Sequence, residues 1–162
     1  MLFRTAAART AAGVMRPTLR RGYAEAAAAS DKIKLSLALP RATLYKNTEA
    51  TQVNIPTTAG DLGILADHVP TIQQLRPGLV EVIEGGGNTK QFFVAGGFAT
   101  VNEGSTLAIN AVDAYPVEDF SPDAVRSLTS EAQNKAASSD AAVAAEGKIE
   151  LEVLESLAAV AK

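Results

Sequence analysis

Apolar and polar residues alternate from Lys32 to Leu39, with Ile33, Leu35, Leu37 and Leu39 on one side and Lys32, Lys34, Ser36 and Ala38 on the other. A period of two marks a half-buried strand, because successive side chains of an extended chain point to opposite faces. Short stretches of the same kind recur over residues 42–46, 50–55, 63–65, 71–75, 78–84, 89–95, 98–102 and 107–111. Between them, Gly85-Gly86-Gly87-Asn88 and Glu103-Gly104 supply the positive backbone dihedrals that hairpin turns require. Many short strands with close turns, and no helical stretch among them, predict an antiparallel sandwich rather than a parallel sheet.

The period changes at Ser121-Pro122-Asp123, where Ser suits the cap of a helix, Pro its first position and Asp its positive end. Val125, Leu128, Ala132 and Ala136 then share one face, and Glu131 with Lys135 forms a favourable pair four residues apart. Ser138-Ser139-Asp140 breaks this helix and starts a second, running to about Ala161 with an apolar stripe of Leu151, Leu154, Leu157 and Ala161. Small side chains let two such helices approach closely, yet few large apolar groups hold them, so the pair needs the sandwich or a partner to pack on. The expected class is α+β: an N-terminal antiparallel β-sandwich over residues 32–114, followed by a C-terminal two-helix hairpin over 115–162.

Charge adds a further segment. Arg4, Arg9, Arg16, Arg20 and Arg21 precede the first acidic residue, Glu25, among Ala, Thr, Leu, Phe and Gly. That is the composition of a mitochondrial transit peptide; Arg9 and Arg16 interrupt the apolar stretch that a secretory signal needs. Arg21-Gly22-Tyr23-Ala24 fits matrix processing after Tyr23, giving a transit peptide over 1–23 and a linker over 24–31. The competing reading, a basic arm for nucleic acid, calls for Lys in a segment that stays attached. Removal takes five of the 15 basic residues and none of the 18 acidic ones, leaving a formal charge of −8, a poor basis for binding nucleic acid. No run approaches the roughly 18 apolar residues that span a bilayer, so membrane association is expected through another protein. The absence of Cys removes disulfides and thiolate chemistry and fits a reducing interior compartment.

Candidate chemistry is sparse. The single His68 and the lack of Cys leave no zinc set and no nucleophile with its base, so no catalytic, metal or cofactor residues are assigned. Gly85-Gly86-Gly87-Asn88-Thr89-Lys90 misses the Walker spacing, and Gly96-Gly97-Phe98 lacks the third glycine of a dinucleotide fingerprint, reading instead as close packing between strands. Asp61, Asp67 and His68 fall in one loop with no nucleophile beside them. That loop, Pro56 to Pro70, is bounded by prolines and turned by Gly60 and Gly63, so that Asp61-Leu62 is expected at a rigid tip. It reads either as a recognition element or as a hairpin kept wet by its Asp residues.

Gly60-Asp61-Leu62-Gly63-Ile64-Leu65, His68-Val69-Pro70 and Arg76-Pro77-Gly78 resemble the G-E/D-L-G-I-L, H-x-P and K/R-P-G series of the small stalk subunits of F-type ATP synthases, called delta in mitochondria and epsilon in bacteria and chloroplasts. The segments Phe93 to Val101 and Leu107 to Ala114 follow in the family's order. The resemblance implies a non-catalytic rotor subunit on the matrix side of the mitochondrial inner membrane, a sandwich followed by a helical hairpin, that couples proton-driven rotation to ATP synthesis. It implies three partners: the gamma subunit, the small mitochondrial epsilon subunit and the c-ring. By position, Gly60, Asp61, Leu62, Gly63 and His68 would face the c-ring, and Leu151, Leu154 and Leu157 would face gamma and epsilon. The alternative within the family is a nucleotide-binding or inhibitory module. Asp123 and Arg126 match its I/L-D-x-x-R-A motif, but Pro122 and Ser127 do not, and Gln133 replaces a further Arg. The hairpin's acidic balance also argues against an inhibitory arm seeking acidic surfaces.

Overall fold

The computed structural model describes residues 31–161. The transit-peptide expectation and nearly all of the expected linker lie outside the described residues. Among the described residues nine strands are formed: β1 Ile33–Ala38, β2 Thr43–Thr57, β3 Gly60–Ile64, β4 Thr71–Leu75, β5 Gly78–Glu84, β6 Thr89–Val94, β7 Gly97–Asn102, β8 Thr106–Ala111 and β9 Ala114–Pro116. Two helices follow, α1 Pro122–Ala136 and α2 Ala141–Val160.

Alternation carries through to burial. Ile33, Leu35 and Leu37 of β1 are fully buried, as are Val80 and Val82 of β5 and Leu107 and Ile109 of β8. With Val53, Ile55, Ile64 and Val94 they make an aliphatic core in which Tyr45 is the one buried aromatic.

The strands predicted at 42–46 and 50–55 are a single strand, β2. Its polar middle, Lys46 to Glu49, is a bulged bend and not a turn: Asn47 has a φ of 50°, and the pairing with β1 slips between Leu35 and Leu37. The Ser36 hydroxyl fills the irregularity, bonding both the Asn47 amide nitrogen and its side-chain oxygen at 3.2 Å. A bulge bends a strand and increases its twist, so the first half of β2 pairs with β1 while the second half pairs with β3 and β5. The hydrogen-bonded order is β1-β8-β7-β4-β2-β5-β6-β9, with β3 also on β2. One pairing departs from the antiparallel expectation: β1 and β8 run parallel, Lys34 opposite Thr106 through Ala38 opposite Asn110. The three-residue β9, which alternation was too short to reveal, pairs with the outer side of β6.

Two glycines mark close approaches. A Cβ on Gly97, whose φ is +145°, would collide with the Asn110 carbonyl oxygen and lie 2.8 Å from the Ala111 Cα, so β7 meets β8 only with glycine there. A Cβ on Gly147 would collide with the Ala136 nitrogen and lie 2.8 Å from the Lys135 Cβ, so this residue sets how closely α2 approaches α1.

The helices begin and end near the expected places, but their bonding differs from the expectation. The Asp140 carboxylate caps α2 by accepting from the Ala142 N–H at 2.8 Å. Ser121 precedes Pro122 without any side-chain cap bond. Lys135 pairs across the hairpin with Glu150 at 2.8 Å and not along its own helix with Glu131, and this contact raises its pKa. On α1 only Val125 and Ala132 of the predicted face are buried; Leu128 is exposed. The hairpin docks through a small second core, where Val125 and Leu157 pack on Phe93 of β6 with Phe120, Val153 and Ala161 at its rim.

Candidate functional site

The glycine-bordered segment after β2 is a strand and not a loop tip. Pairing runs Thr57 with Gly60, Pro56 with Asp61, Ile55 with Leu62, Asn54 with Gly63 and Val53 with Ile64. The tight turn falls on Thr58-Ala59. There the Thr57 hydroxyl donates to the Gly60 carbonyl at 2.6 Å and accepts from the Ala59 N–H at 3.2 Å, and Gly60 takes a φ of 124°. Asp61 therefore sits one residue into β3, its side chain 76% exposed. Its carboxylate already has a partner: the Arg76 guanidinium lies 2.7 Å away. The Arg76 N–H donates to the Pro56 carbonyl at 3.1 Å, which fixes where that guanidinium starts. Arg76 belongs to the Arg-Pro-Gly motif, but nothing in its spacing from Asp61 along the chain announces the contact.

Gly63 has a different task. On the outer face beside it, Gln52 donates to Asn54 at 2.7 Å, Asn54 to Glu81 at 3.0 Å, and Gln91 to Glu81 at 2.8 Å. A Cβ on Gly63 would come within 3.2 Å of the Asn54 side-chain oxygen, so glycine leaves room for this polar ladder to lie flat. Leu62 points the other way and packs against the main core.

His68 is not brought to Asp61. From Asp61 to Ile64 the strand advances about 10 Å, and His68 lies in the connection beyond its far end. The ring nitrogen Nδ1 is 2.9 Å from the Val69 carbonyl oxygen. That connection is anchored through Ser105, whose hydroxyl accepts from the Asp67 N–H at 2.9 Å and donates to the Asp67 carboxylate at 3.1 Å. Leu65 and Val69, on either side of the anchor, are exposed. Ser105 lies 38 residues away along the chain, in no motif that marks it.

The three leucines on α2 have separate fates. Leu157, 6% exposed, is spent in the chain's own second core, which removes it from any partner-facing stripe in this conformation. Leu151 is half-buried. Leu154 lines a groove of about 420 Å3 between the two helices, with Leu128, Ile149 and Val153 beside the Lys135–Glu150 pair. A second cleft, of about 500 Å3, lies between β3 and the end of α2, where Asp61, Gly63 and Arg76 face Ser156, Ala159 and Val160. Asp123 and Arg126, the two positions matching the nucleotide motif, are exposed on α1 and lie 3.7 Å apart. Among the described residues no cluster of His, Cys, Asp or Glu has the makings of a metal site.

A sandwich folded around one bent strand, with a helical hairpin docked on its β5–β6 side and an ion-paired, glycine-bordered edge strand, defines the class as α+β proteins of sandwich and C-terminal hairpin. The comparisons with known proteins agree along the chain. Residues 32–116 match the family described as ATP synthase, Delta/Epsilon chain, beta-sandwich domain, and residues 120–159 match the fungal epsilon subunit of F1F0-ATP synthase C-terminal domain. The chain is 61% identical to the mitochondrial ATP synthase subunit delta of Yarrowia lipolytica, over 96% of this chain and 98% of that one. It is 54% identical to the protein of that name in Kluyveromyces lactis, over 99% and 100%. A chain in the cryo-EM structure of the Euglena gracilis mitochondrial ATP synthase, OSCP/F1/c-ring, superposes with a TM-score of 0.77 at 37% identity, covering 80% of this chain and 81% of that one. This chain belongs to the ATP synthase delta/epsilon family.

Proposed function

We propose that the chain is a non-catalytic subunit of the mitochondrial ATP synthase central stalk, joining gamma to the c-ring with the small epsilon subunit beside it. The observation that carries this reading is the match of both parts of the chain, sandwich and hairpin, to relatives named mitochondrial ATP synthase subunit delta over nearly their full length. The fold suits torque transmission. Shear of the sandwich would break packed aliphatic contacts and ladder hydrogen bonds together, and β2 ties both sheets through one continuous backbone.

Gly60, Asp61, Leu62 and Gly63 form the ring-facing edge, and the connection carrying His68 is a second contact at the other end of β3. Leu154 and Ile149, in the groove between the helices, face gamma and epsilon, with Leu151 beside them. Localisation on the matrix side of the inner membrane follows from these partners and from the arginine-bearing segment at 1–23.

The chain has no Cys, which makes a cross-linking test direct. Single cysteines placed at Asp61 and at Ile149, in intact complex from mitochondria, are expected to cross-link to a c subunit and to gamma or epsilon respectively. Recovery of the processed chain outside the complex, or cross-links from Asp61 to none of these subunits, contradicts the reading.

A further inference from the structure

The pairing register of β3 determines which of its backbone groups remain for a partner. In an antiparallel pair, residues alternate between those that exchange hydrogen bonds with the strand opposite and those whose N–H and C=O point away from it. Pro56 has no N–H, and its carbonyl accepts from Arg76 at 3.1 Å, on the side of β2 away from β3. Its partner Asp61 therefore belongs to a pair without mutual hydrogen bonds, and so does Gly63 opposite Asn54, two residues on. Leu62 and Ile64 turn their backbone groups inward to Ile55 and Val53, while Asp61 and Gly63 turn theirs outward. Among the described strands β3 pairs with β2 alone, so the outward side is an open edge.

Open edges are usually blunted by charged side chains, by short length, by Pro or by a bulge that twists them out of reach. β3 is short but has neither Pro nor a bulge. It carries two glycines, a regular register and one charged side chain, Asp61, which Arg76 draws to one side. With no Cβ on Gly60 or Gly63, another backbone can come close.

We propose that β3 binds its partner by strand addition. An extended polypeptide segment would lie along Gly60–Ile64 and hydrogen-bond to the N–H and C=O of Asp61 and Gly63. With the Asp61 carboxylate already held by Arg76 and no Cβ on Gly63, the recognition is through main chain more than through side chains. The proposal rests on the reading of this edge as the partner-facing part of the subunit, and gives it a mode of binding.

Residue-resolved hydrogen exchange on the full chain, alone and in the intact ATP synthase, tests it. In the free chain the Leu62 and Ile64 amides are expected to exchange slowly and those of Asp61 and Gly63 quickly. On assembly, Asp61 and Gly63 are expected to slow at least about tenfold, as for other hydrogen-bonded strand amides. The Asp61→Asn variant is expected to keep that protection, because the added bonds are made by main chain. Unchanged exchange at Asp61 and Gly63 overturns strand addition, as does protection that disappears in Asp61→Asn. If strand addition fails while Asp61→Lys still lowers the amount of chain held in the complex, side-chain contact at this edge stands by itself. If Asp61→Lys has no effect either, the partner-facing reading falls as well.

Discussion

Replacing Leu157 with Ala tests whether the hairpin and the sandwich are separate cooperative units. Leu157 is 6% exposed and packs with Val125 against Phe93, in a cluster that shares no buried residue with the main core. The substitution removes three carbon groups, each worth about 0.8 kcal/mol when buried, for a transfer loss of about 2.4 kcal/mol. A rigid cavity would push this toward the upper part of the roughly 2–5 kcal/mol range for core leucines, but the rim of Phe120, Val153 and Ala161 is half open and free to collapse. The lower figure applies, and at 1.4 kcal/mol per tenfold it raises the undocked population roughly 50-fold. Undocked, an Ala-rich hairpin of 15- and 20-residue helices is marginal. Hydrogen exchange in α1 and α2 should therefore accelerate by about the same factor, while amides at Val53, Val82 and Ile109 change less than about threefold. Equal acceleration in the sandwich would show a single cooperative core. No acceleration in the helices would show that the Phe93–Val125–Leu157 contact does not hold the hairpin down. Either result refutes the reasoning.

Other substitutions test the site and the close approaches. Asp61→Lys breaks a pair exposed on both sides, so thermal unfolding of the free chain should shift by no more than about 0.5 kcal/mol, while the fraction of chain co-purifying with the ATP synthase falls. Gly147→Ala should lower hairpin stability in hydrogen exchange: the helix propensity gain of about 1 kcal/mol is outweighed by collision with the Lys135–Ala136 backbone, which yields only by spreading the helices. Gly97→Ala should cost the sandwich about 3 kcal/mol in denaturant titrations, since a positive φ and a backbone collision act together. The Lys90 ammonium, 2.8 Å from Glu84, holds that carboxylate below its ordinary 4.5. A depressed carboxylate adds stability above its unfolded pKa, and that contribution disappears as pH falls through the folded value. Lys90→Met should bring the Glu84 titration, followed by carbon NMR, back up toward 4.5, and an unmoved titration would contradict the pairing.

Local chemistry settled much of this molecule before any folding. Alternation in Ile33-Leu35-Leu37 is a property of eight adjacent residues, and the buried face follows once water is excluded from one side. The turn at Gly85–Asn88 closes through the Glu84 N–H to the Asn88 carbonyl at 2.8 Å, as glycine placement requires, and Asp140 caps α2 with its own side chain. The motif around Gly60-Asp61-Leu62-Gly63 also marked the segment that forms β3. Tertiary structure decided the rest, because each remaining choice depended on a neighbour distant in sequence. Asn47 to Glu49 separated two expected strands, but bonds from Ser36 hold that stretch as a bulge inside one long strand. Lys135 had a candidate partner on its own helix and took Glu150 from the other. Leu157 was one of several equivalent leucines until Phe93 fixed which side of α2 faces the sandwich. Asp61 became an edge-strand residue, not a loop tip, through Pro56, and gained its counter-charge from Arg76, 15 residues on. Period and turn residues specify elements, whereas pairing is a competition among long-range contacts that only the assembled chain resolves.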